Sequence, residues 1–315
     1  MIKIILSLFV LTLYAFSLED LTPTYSLKAK GAVQDILYTK GVLYAANSNG
    51  SVEIFDVASK EVIKTIEIPS IEDFMGDIIP AKIYSIDLIA NKLLIVSQGM
   101  KGYRTLWIYE NDTLHKVFDI EKKYFIQKAS FVDENRILFG LLSNQIGLYN
   151  LQTQTLEYMN QVSHSSFSHF KLSQDKQRFA STDESGIVRI FNTQDGSLFK
   201  ELDALNLDRV YQVDYKNGVV LTAGQDRKAV VFSQRGSTYS LNFDFLLYSC
   251  ALNAKATRGA VSYNEKNEVL VFDINTKKYL YNLTGQKATL TQILFISDNE
   301  LFASSDSEII NYWKF

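Results

Sequence analysis

The feature that most constrains the fold of this chain is a segment that recurs about every 40 residues. In each copy, β-branched or aliphatic residues lead into an aromatic residue, which a polar residue usually follows. Such residues favour strands, and a repeat of this length is typical of the blades of a propeller. The aromatic residues that mark the seven copies are Phe55, Tyr109, Tyr149, Phe191, Phe232, Phe272 and Trp313.

The fourth copy shows how one repeat is built. Apolar and polar residues alternate in four short runs, at 167–172, 178–182, 187–192 and 198–202. Polar turn-forming residues separate the runs, and Gly186 supplies the positive φ that a tight turn requires. Four strands in one repeat form a propeller blade. A single such sheet cannot bury both faces, so the copies are expected to stack around a ring.

Closure of the ring is also predicted. The last copy supplies only three strands, at 289–295, 300–304 and 309–315, while residues 24–29 form a spare strand before the first copy. We expect the spare strand to complete the last blade, because closure removes open sheet edges. The predicted fold class is therefore all-β, a seven-bladed β-propeller closed by an N-terminal strand.

One segment connects the repeats to a known family. Residues 183–192 resemble the turn and third strand of WD-repeat propellers, with Phe191-Asn192 in the place of Trp-Asp. Phe55-Asp56 and Phe272-Asp273 keep the aspartate, whereas the Gly-His pair of that family is missing from every blade. The resemblance covers nearly all of the chain after residue 17, and it implies a WD-like propeller.

The first 17 residues have the layout of a secretory signal. Lys3 gives a positive start, residues 4–14 are mostly apolar, and the small residues Ala15 and Ser17 offer cleavage sites after either position. The apolar run is shorter than the roughly 20 residues that span a membrane. We expect residues 1–17 to be a cleaved Sec-type signal peptide, and residues 18–315 to be one propeller domain in the periplasm.

Charge and cysteine content narrow the function further. The net charge is −3 without a basic cluster, so neither nucleic acid nor a membrane surface is predicted as a partner. Cys250 is the only cysteine, which rules out an intramolecular disulfide. Its apolar surroundings at 246–252 predict a core strand and a buried, unreactive thiol. No membrane span is expected after signal cleavage, and the protein is expected to be a monomer.

One interval between the repeats is longer than the others. Phe55 and Tyr109 are 54 residues apart, and the surplus lies at 69–80, between blades one and two. Blade two also has a long turn at 98–104, which we expect on the same face. Aromatic residues, Met and Arg are enriched at interfaces, so a partner-binding surface is predicted; alternatively, the insertion folds down and plugs the ring. The predicted partner-binding residues are Ile71, Phe74, Met75, Met100, Tyr103 and Arg104.

Catalytic and metal-binding residues are not predicted. The histidines are His115, His164 and His169, and the last two are five residues apart, which on a strand places them on opposite faces. Neither a Cys nor a carboxylate follows at ligand spacing, and Cys-x-x-Cys-His is missing, so no metal and no cofactor is expected.

Aspartates recur near the predicted inner strands, at Asp35, Asp87 and Asp214. In a propeller, carboxylates in structural ion-pair and hydrogen-bond networks can have perturbed pKa values, as catalytic carboxylates do. We interpret the three as braces between strands.

These observations favour a non-catalytic protein that binds another protein. The single-lysine signal, one propeller of this size and Phe or Tyr in place of Trp also resemble the accessory propellers of the periplasmic nitrate reductase system. That resemblance implies a role in maturation or electron supply, with nitrate reductase components as partners. The alternatives are a propeller enzyme of the lactonase or lyase type that uses the central channel, and a scaffold for outer-membrane assembly.

Overall fold

The computed structural model describes residues 18–202, 205–233 and 236–315. The expected signal segment, residues 1–17, lies outside the described residues. Seven sheets have at least four strands each, and within each blade consecutive strands pair antiparallel as a meander. The strands of blades one to four are Val33–Thr39, Val42–Asn47, Ser51–Asp56 and Glu61–Glu67; Ile83–Ile89, Lys92–Gln98, Arg104–Glu110 and Thr113–Phe118; Ile126–Asp133, Arg136–Leu141, Gln145–Asn150 and Thr155–Gln161; Phe167–Leu172, Arg178–Asp183, Val188–Asn192 and Leu198–Leu202.

The remaining blades follow the same plan, with two N-terminal strands added to blades six and seven. Short 3-10 helices are formed by Met100–Gly102 and Ile120–Lys122. The strands of blades five to seven are Val210–Lys216, Val219–Gly224, Lys228–Ser233 and Tyr239–Asn242; Cys250–Leu252, Arg258–Ser262, Val269–Asp273 and Tyr279–Leu283; Leu290–Phe295, Glu300–Ser305 and Ile309–Lys314.

The blades form a closed ring. The first strand of each blade contacts the first strand of the next, and Leu290–Phe295 of blade seven contacts Val33–Thr39 of blade one. The predicted seven-bladed propeller is therefore confirmed. In blade four, the predicted strands differ from the observed ones by one residue at two boundaries, because tight turns fix where each run of alternation ends.

An N-terminal strand completes blade seven. Tyr25–Lys28 pairs antiparallel with Ile309–Lys314, so that Tyr25 lies opposite Tyr312 and Lys28 lies opposite Ile309. The side chain of Leu27 is almost fully buried. This pairing agrees with the predicted spare strand.

A second N-terminal strand was not predicted. Glu19–Leu21 pairs parallel with Tyr279–Leu283 and gives blade six a fifth strand. The Leu21 carbonyl oxygen accepts hydrogen bonds from the Thr284 backbone N–H at 2.9 Å and from Trp313 Nε1 at 3.2 Å. The segment that contains these two strands, residues 19–28, therefore joins blades six and seven, and we call it the N-terminal latch.

Apolar clusters fill the spaces between adjacent sheets. Close packing there depends on one glycine of blade three. A Cβ atom on Gly140 would lie 2.7 Å from Cζ of Phe167, the residue that begins blade four. The missing side chain thus leaves room for the tip of the Phe167 ring against the sheet of blade three.

Aspartates brace the innermost strands, as predicted. In each case, a carboxylate of one blade accepts the backbone N–H of the next blade's inner strand, at 2.7 to 2.9 Å. Because a buried N–H without a partner is costly, these bonds align the blades. The pairs are Asp35 with Ile86, Asp87 with Phe131, and Asp214 with Leu252.

The inner strand around the only cysteine is shorter than predicted. It covers Cys250–Leu252 rather than the whole of 246–252. The backbone N–H groups of Tyr248 and Ser249 donate to the side-chain hydroxyl of Ser262, at 2.9 and 3.1 Å, instead of to a backbone carbonyl of the neighbouring strand. The Cys250 thiol itself is buried, and burial raises its pKa well above the ordinary value.

Candidate functional site

One face of the ring carries the links between blades and the turns between the second and third strands of each blade. We call it the link face. The insertion at 69–80 and the turn at 98–104 both lie on it, since the first joins blades one and two and the second follows Lys92–Gln98. The Gln98 backbone N–H donates to the Lys82 carbonyl at 2.7 Å, which holds the start of the turn against the end of the link.

The insertion forms a small hairpin. Ile71–Glu72 pairs antiparallel with Ile78–Ile79. Asp73 organises the tip, because its Oδ1 accepts the backbone N–H groups of Met75 at 2.8 Å and of Asp77 at 2.9 Å. Gly76 has φ +90°, a backbone conformation that residues with a side chain rarely adopt. The tip is therefore held in one conformation by local hydrogen bonds, and we call the element the insertion hairpin.

The tip of the insertion hairpin projects its apolar side chains into solvent. Phe74 is 98% exposed and Met75 is 80% exposed. No residue of 69–80 lines the central channel. The alternative prediction, a plug in the mouth of the ring, is therefore wrong for these side chains. Ile71 differs from them, since it packs against the cluster between blades one and two and anchors the hairpin.

The long turn of blade two is largely packed. Met100 is 45% exposed, but the Tyr103 ring lies 4.6 Å from the Phe125 ring, centroid to centroid. The Arg104 guanidinium lies 4.0 Å above the Tyr84 ring, and its Nη1 donates to the Gly102 carbonyl at 2.7 Å. Burial lowers the pKa of Arg104. Of the three predicted residues in this turn, Met100 is thus the most accessible to a partner.

The structure adds exposed apolar residues that the sequence did not single out. Each lies at an end of a strand or in a link, where the alternation of apolar and polar residues does not reveal orientation. The Phe125 carbonyl accepts the Leu142 backbone N–H at 2.9 Å, so these two exposed apolar residues are neighbours at the start of blade three. The additional residues of the link face are Ile78, Phe125, Leu142 and Leu207.

The central channel is narrow and polar. Its volume is about 220 Å³, and every blade contributes to its lining. The side chains of Asp35 and Gln212 are already engaged in hydrogen bonds that join blades. One lining residue from each blade, in order, is Gln34, Tyr84, Lys128, His169, Gln212, Tyr248 and Gln292.

The one channel histidine is held neutral. His169 Nδ1 accepts the Val213 backbone N–H at 3.4 Å. Burial lowers the pKa of His169 well below its ordinary value, and the nearby Lys128 and Lys171 ammonium groups lower it further. His164 precedes the strand that begins at Phe167, so the argument from strand alternation does not apply to it. His164 and His115 are both exposed.

In the described ranges, no group of three or more His, Cys, Asp or Glu side chains is placed to hold a metal ion. Across residues 18–202, 205–233 and 236–315, no helix is long and apolar enough to cross a membrane. Among the described residues, the candidate site is the link face, where Phe74 and Met75 of the insertion hairpin are the most exposed large apolar side chains.

Comparison with known proteins identifies the fold class. No protein-family model and no curated protein matches the chain. Many solved structures match, among them the β-propeller domain of Cps50 (Swd1) from Myceliophteria thermophila. That match has a TM-score of 0.74 at 12% identity, and covers 93% of this chain and 99% of the other. The chain thus has the fold of a WD40 propeller, and identity this low shows the fold alone.

Proposed function

We propose that this chain is an exported, non-catalytic propeller that binds a protein partner through its link face. The observation that carries the proposal is the distribution of exposed large apolar side chains in the described residues. Seven of them lie on the link face, five of the other six lie on outermost strands, and Tyr279 begins the fourth strand of blade six. The first group is Phe74, Met75, Ile78, Met100, Phe125, Leu142 and Leu207, and the second is Val62, Ile63, Leu156, Leu198, Phe199 and Tyr279.

The insertion hairpin is the main contact in this proposal. Phe and Met are enriched at the centres of interfaces, and functional residues concentrate on loops that a rigid scaffold positions. Because Asp73 already orders the tip, little conformational entropy is lost when Phe74 and Met75 enter a partner's groove. Such preorganisation improves affinity.

The partner we propose is a component of the periplasmic nitrate reductase system. The support is the resemblance to its accessory propeller, NapL, in the single-lysine signal, the size and the Phe or Tyr in place of Trp. The role would be maturation of the reductase or supply of electrons to it. Removal of residues 1–17 during export belongs to the same proposal, and N-terminal sequencing of the exported protein tests it.

Affinity capture from periplasm tests partner and surface together. The tagged protein is compared with a Phe74→Ala, Met75→Ala variant, and mass spectrometry identifies what is retained. The matched control is Val62→Ala, Ile63→Ala, which removes exposed apolar side chains from an outermost strand of blade one. We expect reductase components with the native protein and the control, and roughly tenfold less with the hairpin variant, a loss of about 1.4 kcal/mol.

Other outcomes would contradict the proposal. Equal loss of reductase components with the hairpin variant and with the control would show that the hairpin is not part of the interface. Outer-membrane assembly factors in place of reductase components would make the protein an assembly scaffold. Turnover in a screen of lactones and lyase substrates, lost on changing channel residues, would make it an enzyme.

A further inference from the structure

A second recess lies between blades five and six, away from the insertion hairpin. Its volume is about 540 Å³. Four aromatic residues line it, Phe243, Phe245, Tyr263 and Tyr279, together with the carboxylates of Asp244 and Glu265. We call this the aromatic recess.

The rings of the aromatic recess are held in fixed positions. The centroid of the Phe243 ring lies 5.6 Å from that of Tyr263 and 6.5 Å from that of Tyr279. The planes of the Phe243 and Tyr279 rings are inclined by 20°. The Tyr263 hydroxyl is within hydrogen-bond distance of Glu268 Oε2, at 3.2 Å, and of Asn282 Oδ1, at 3.1 Å. Burial and the Glu268 carboxylate raise the pKa of Tyr263 to about 12. The phenol therefore stays neutral, and its hydroxyl contacts with Glu268 and Asn282 hold the ring in position.

The carboxylates beside these rings have no partner of their own. Asp244 and Glu265 are exposed, and neither forms a hydrogen bond or ion pair within the described part of the chain. No lysine or arginine lines the recess. Lys266 follows Glu265 in the same turn, but it is exposed and does not contribute to the lining. The recess therefore combines aromatic faces with uncompensated negative charge.

Elsewhere, a lysine or arginine of the propeller lies over each of seven aromatic rings. Eight such contacts are formed in the described ranges, for example Arg178 over Phe199 at 3.4 Å and Lys277 over Tyr239 at 4.5 Å. None of the eight involves a ring of the aromatic recess. The rings of the recess thus have no cation of the described residues over them, although carboxylates lie in the same lining.

We propose that the aromatic recess binds an arginine side chain of a peptide segment from a partner. A guanidinium group is planar, stacks on aromatic rings and donates two parallel hydrogen bonds to a carboxylate. A lysine ammonium lacks both the planar surface and the paired donors. The proposal does not depend on the insertion hairpin, because blades five and six form the recess and blades one and two carry the hairpin.

Peptide titration followed by NMR tests the proposal. The labelled protein is titrated with acetyl-Gly-Arg-Gly-amide, and the side-chain amide signals of Asn242 and Asn264, which line the recess, are recorded. The matched peptides carry Lys or Gln in place of Arg. We expect saturable shifts with the arginine peptide at a Kd on the order of 1 mM, at least about fivefold weaker binding of the lysine peptide, and none of the glutamine peptide.

Variants locate the site. Asp244→Asn with Glu265→Gln removes the charge, and Tyr279→Ala removes an exposed ring; each is expected to weaken binding at least tenfold. The control, Glu61→Gln with Glu72→Gln, removes two exposed carboxylates from other parts of the surface and is expected to bind normally. Equal binding of the lysine or glutamine peptide, or unchanged binding by the recess variants, would overturn the arginine site without affecting the capture experiment on the hairpin.

Discussion

The indole N–H of Trp313 donates to the carbonyl oxygen of Leu21 across 3.2 Å, and so ties the last strand of the ring to the N-terminal latch. The same oxygen accepts the Thr284 backbone N–H from the end of blade six. A single backbone carbonyl thus connects two blades through residues that are almost 300 positions apart in sequence. The latch is therefore part of the ring rather than a loose terminus.

Removing residues 18–30 should strongly destabilise the protein. The deletion takes away both latch strands, exposes the edge of Ile309–Lys314 and leaves the cluster around Leu27 open. We expect the midpoint of thermal unfolding, followed by circular dichroism, to fall by roughly 10 °C or more. The single change Leu27→Ala should cost about 2–5 kcal/mol. An unchanged midpoint for the deletion would show that the ring closes without the latch.

Asp73 should order the tip of the insertion hairpin but contribute little to the global stability of the protein. Asp73→Ala removes the acceptor of the Met75 and Asp77 N–H groups. Hydrogen exchange at those two amides should accelerate, while the free energy of unfolding changes by less than about 0.5 kcal/mol, as for most surface changes. Asp77→Ala keeps the Asp73 acceptor and serves as the control. Equal acceleration in both variants would mean that Asp73 does not organise the tip.

Two of the bracing aspartates should respond in opposite ways to replacement by asparagine. Burial raises the pKa of Asp87 and outweighs the Phe131 N–H and nearby lysines. For Asp214, burial is outweighed by the ammonium groups of Lys216 and Lys171, and its pKa is lowered. Asp87→Asn should therefore be neutral or stabilising at pH 7, since it removes a penalised buried charge. Asp214→Asn should cost about 3 kcal/mol, because it breaks a buried ion pair.

Urea unfolding as a function of pH tests the opposite effects predicted for these two aspartates. The contribution of Asp214 is fully present above the unfolded pKa of about 3.9 and is lost as the pH falls through its lowered folded pKa. The contribution of Asp87 to the free energy of unfolding has the opposite pH dependence. It is largest at low pH and is lost as the pH rises through the raised folded pKa. Equal destabilisation of the two variants at pH 7 would contradict this assignment.

The Cys250 thiol should be unreactive in the folded protein. It is buried between blades five and six, with Sγ 3.5 Å from the Gln212 carbonyl oxygen, and burial with the Asp214 carboxylate raises its pKa. We expect a thiol reagent such as Ellman's reagent to react at least about 1000-fold more slowly than with urea-unfolded protein. Rapid reaction of the native protein would mean that the inner strand Cys250–Leu252 opens easily.

The repeating parts of the fold were predictable because their signals are local. In blade four, alternation and the tight turn at Gly186 determine strand boundaries to within one residue. The closing strand was predictable because residues 24–29 alternate and the last repeat lacks one strand. In contrast, Glu19–Leu21 is three residues long and pairs through its backbone with a strand some 260 residues away. No pattern of side chains marks such a pairing.

The candidate site was predictable as a location but not in detail. The surplus length between Phe55 and Tyr109 identifies the insertion, whereas the sequence shows only that Ile71 and Phe74 are both large and apolar. Orientation separates them, since Ile71 packs into the cluster and Phe74 is exposed. The aromatic recess was missed for a similar reason: its rings come from two blades, and only the folded ring brings them together.

The latch also imposes an order of events on folding. The Ser26 hydroxyl donates a hydrogen bond to Asn311 Oδ1, 285 residues further along the chain, so the strand Tyr25–Lys28 stays unpaired until Ile309–Lys314 has been synthesised. Contacts this distant in sequence slow folding, and blade seven lacks its fourth strand until this pairing forms. A prematurely terminated chain would keep an unpaired edge and a loose N-terminal segment, both accessible to proteases. Closure of the ring thereby makes protection of the latch depend on a strand that lies some 285 residues further along the chain.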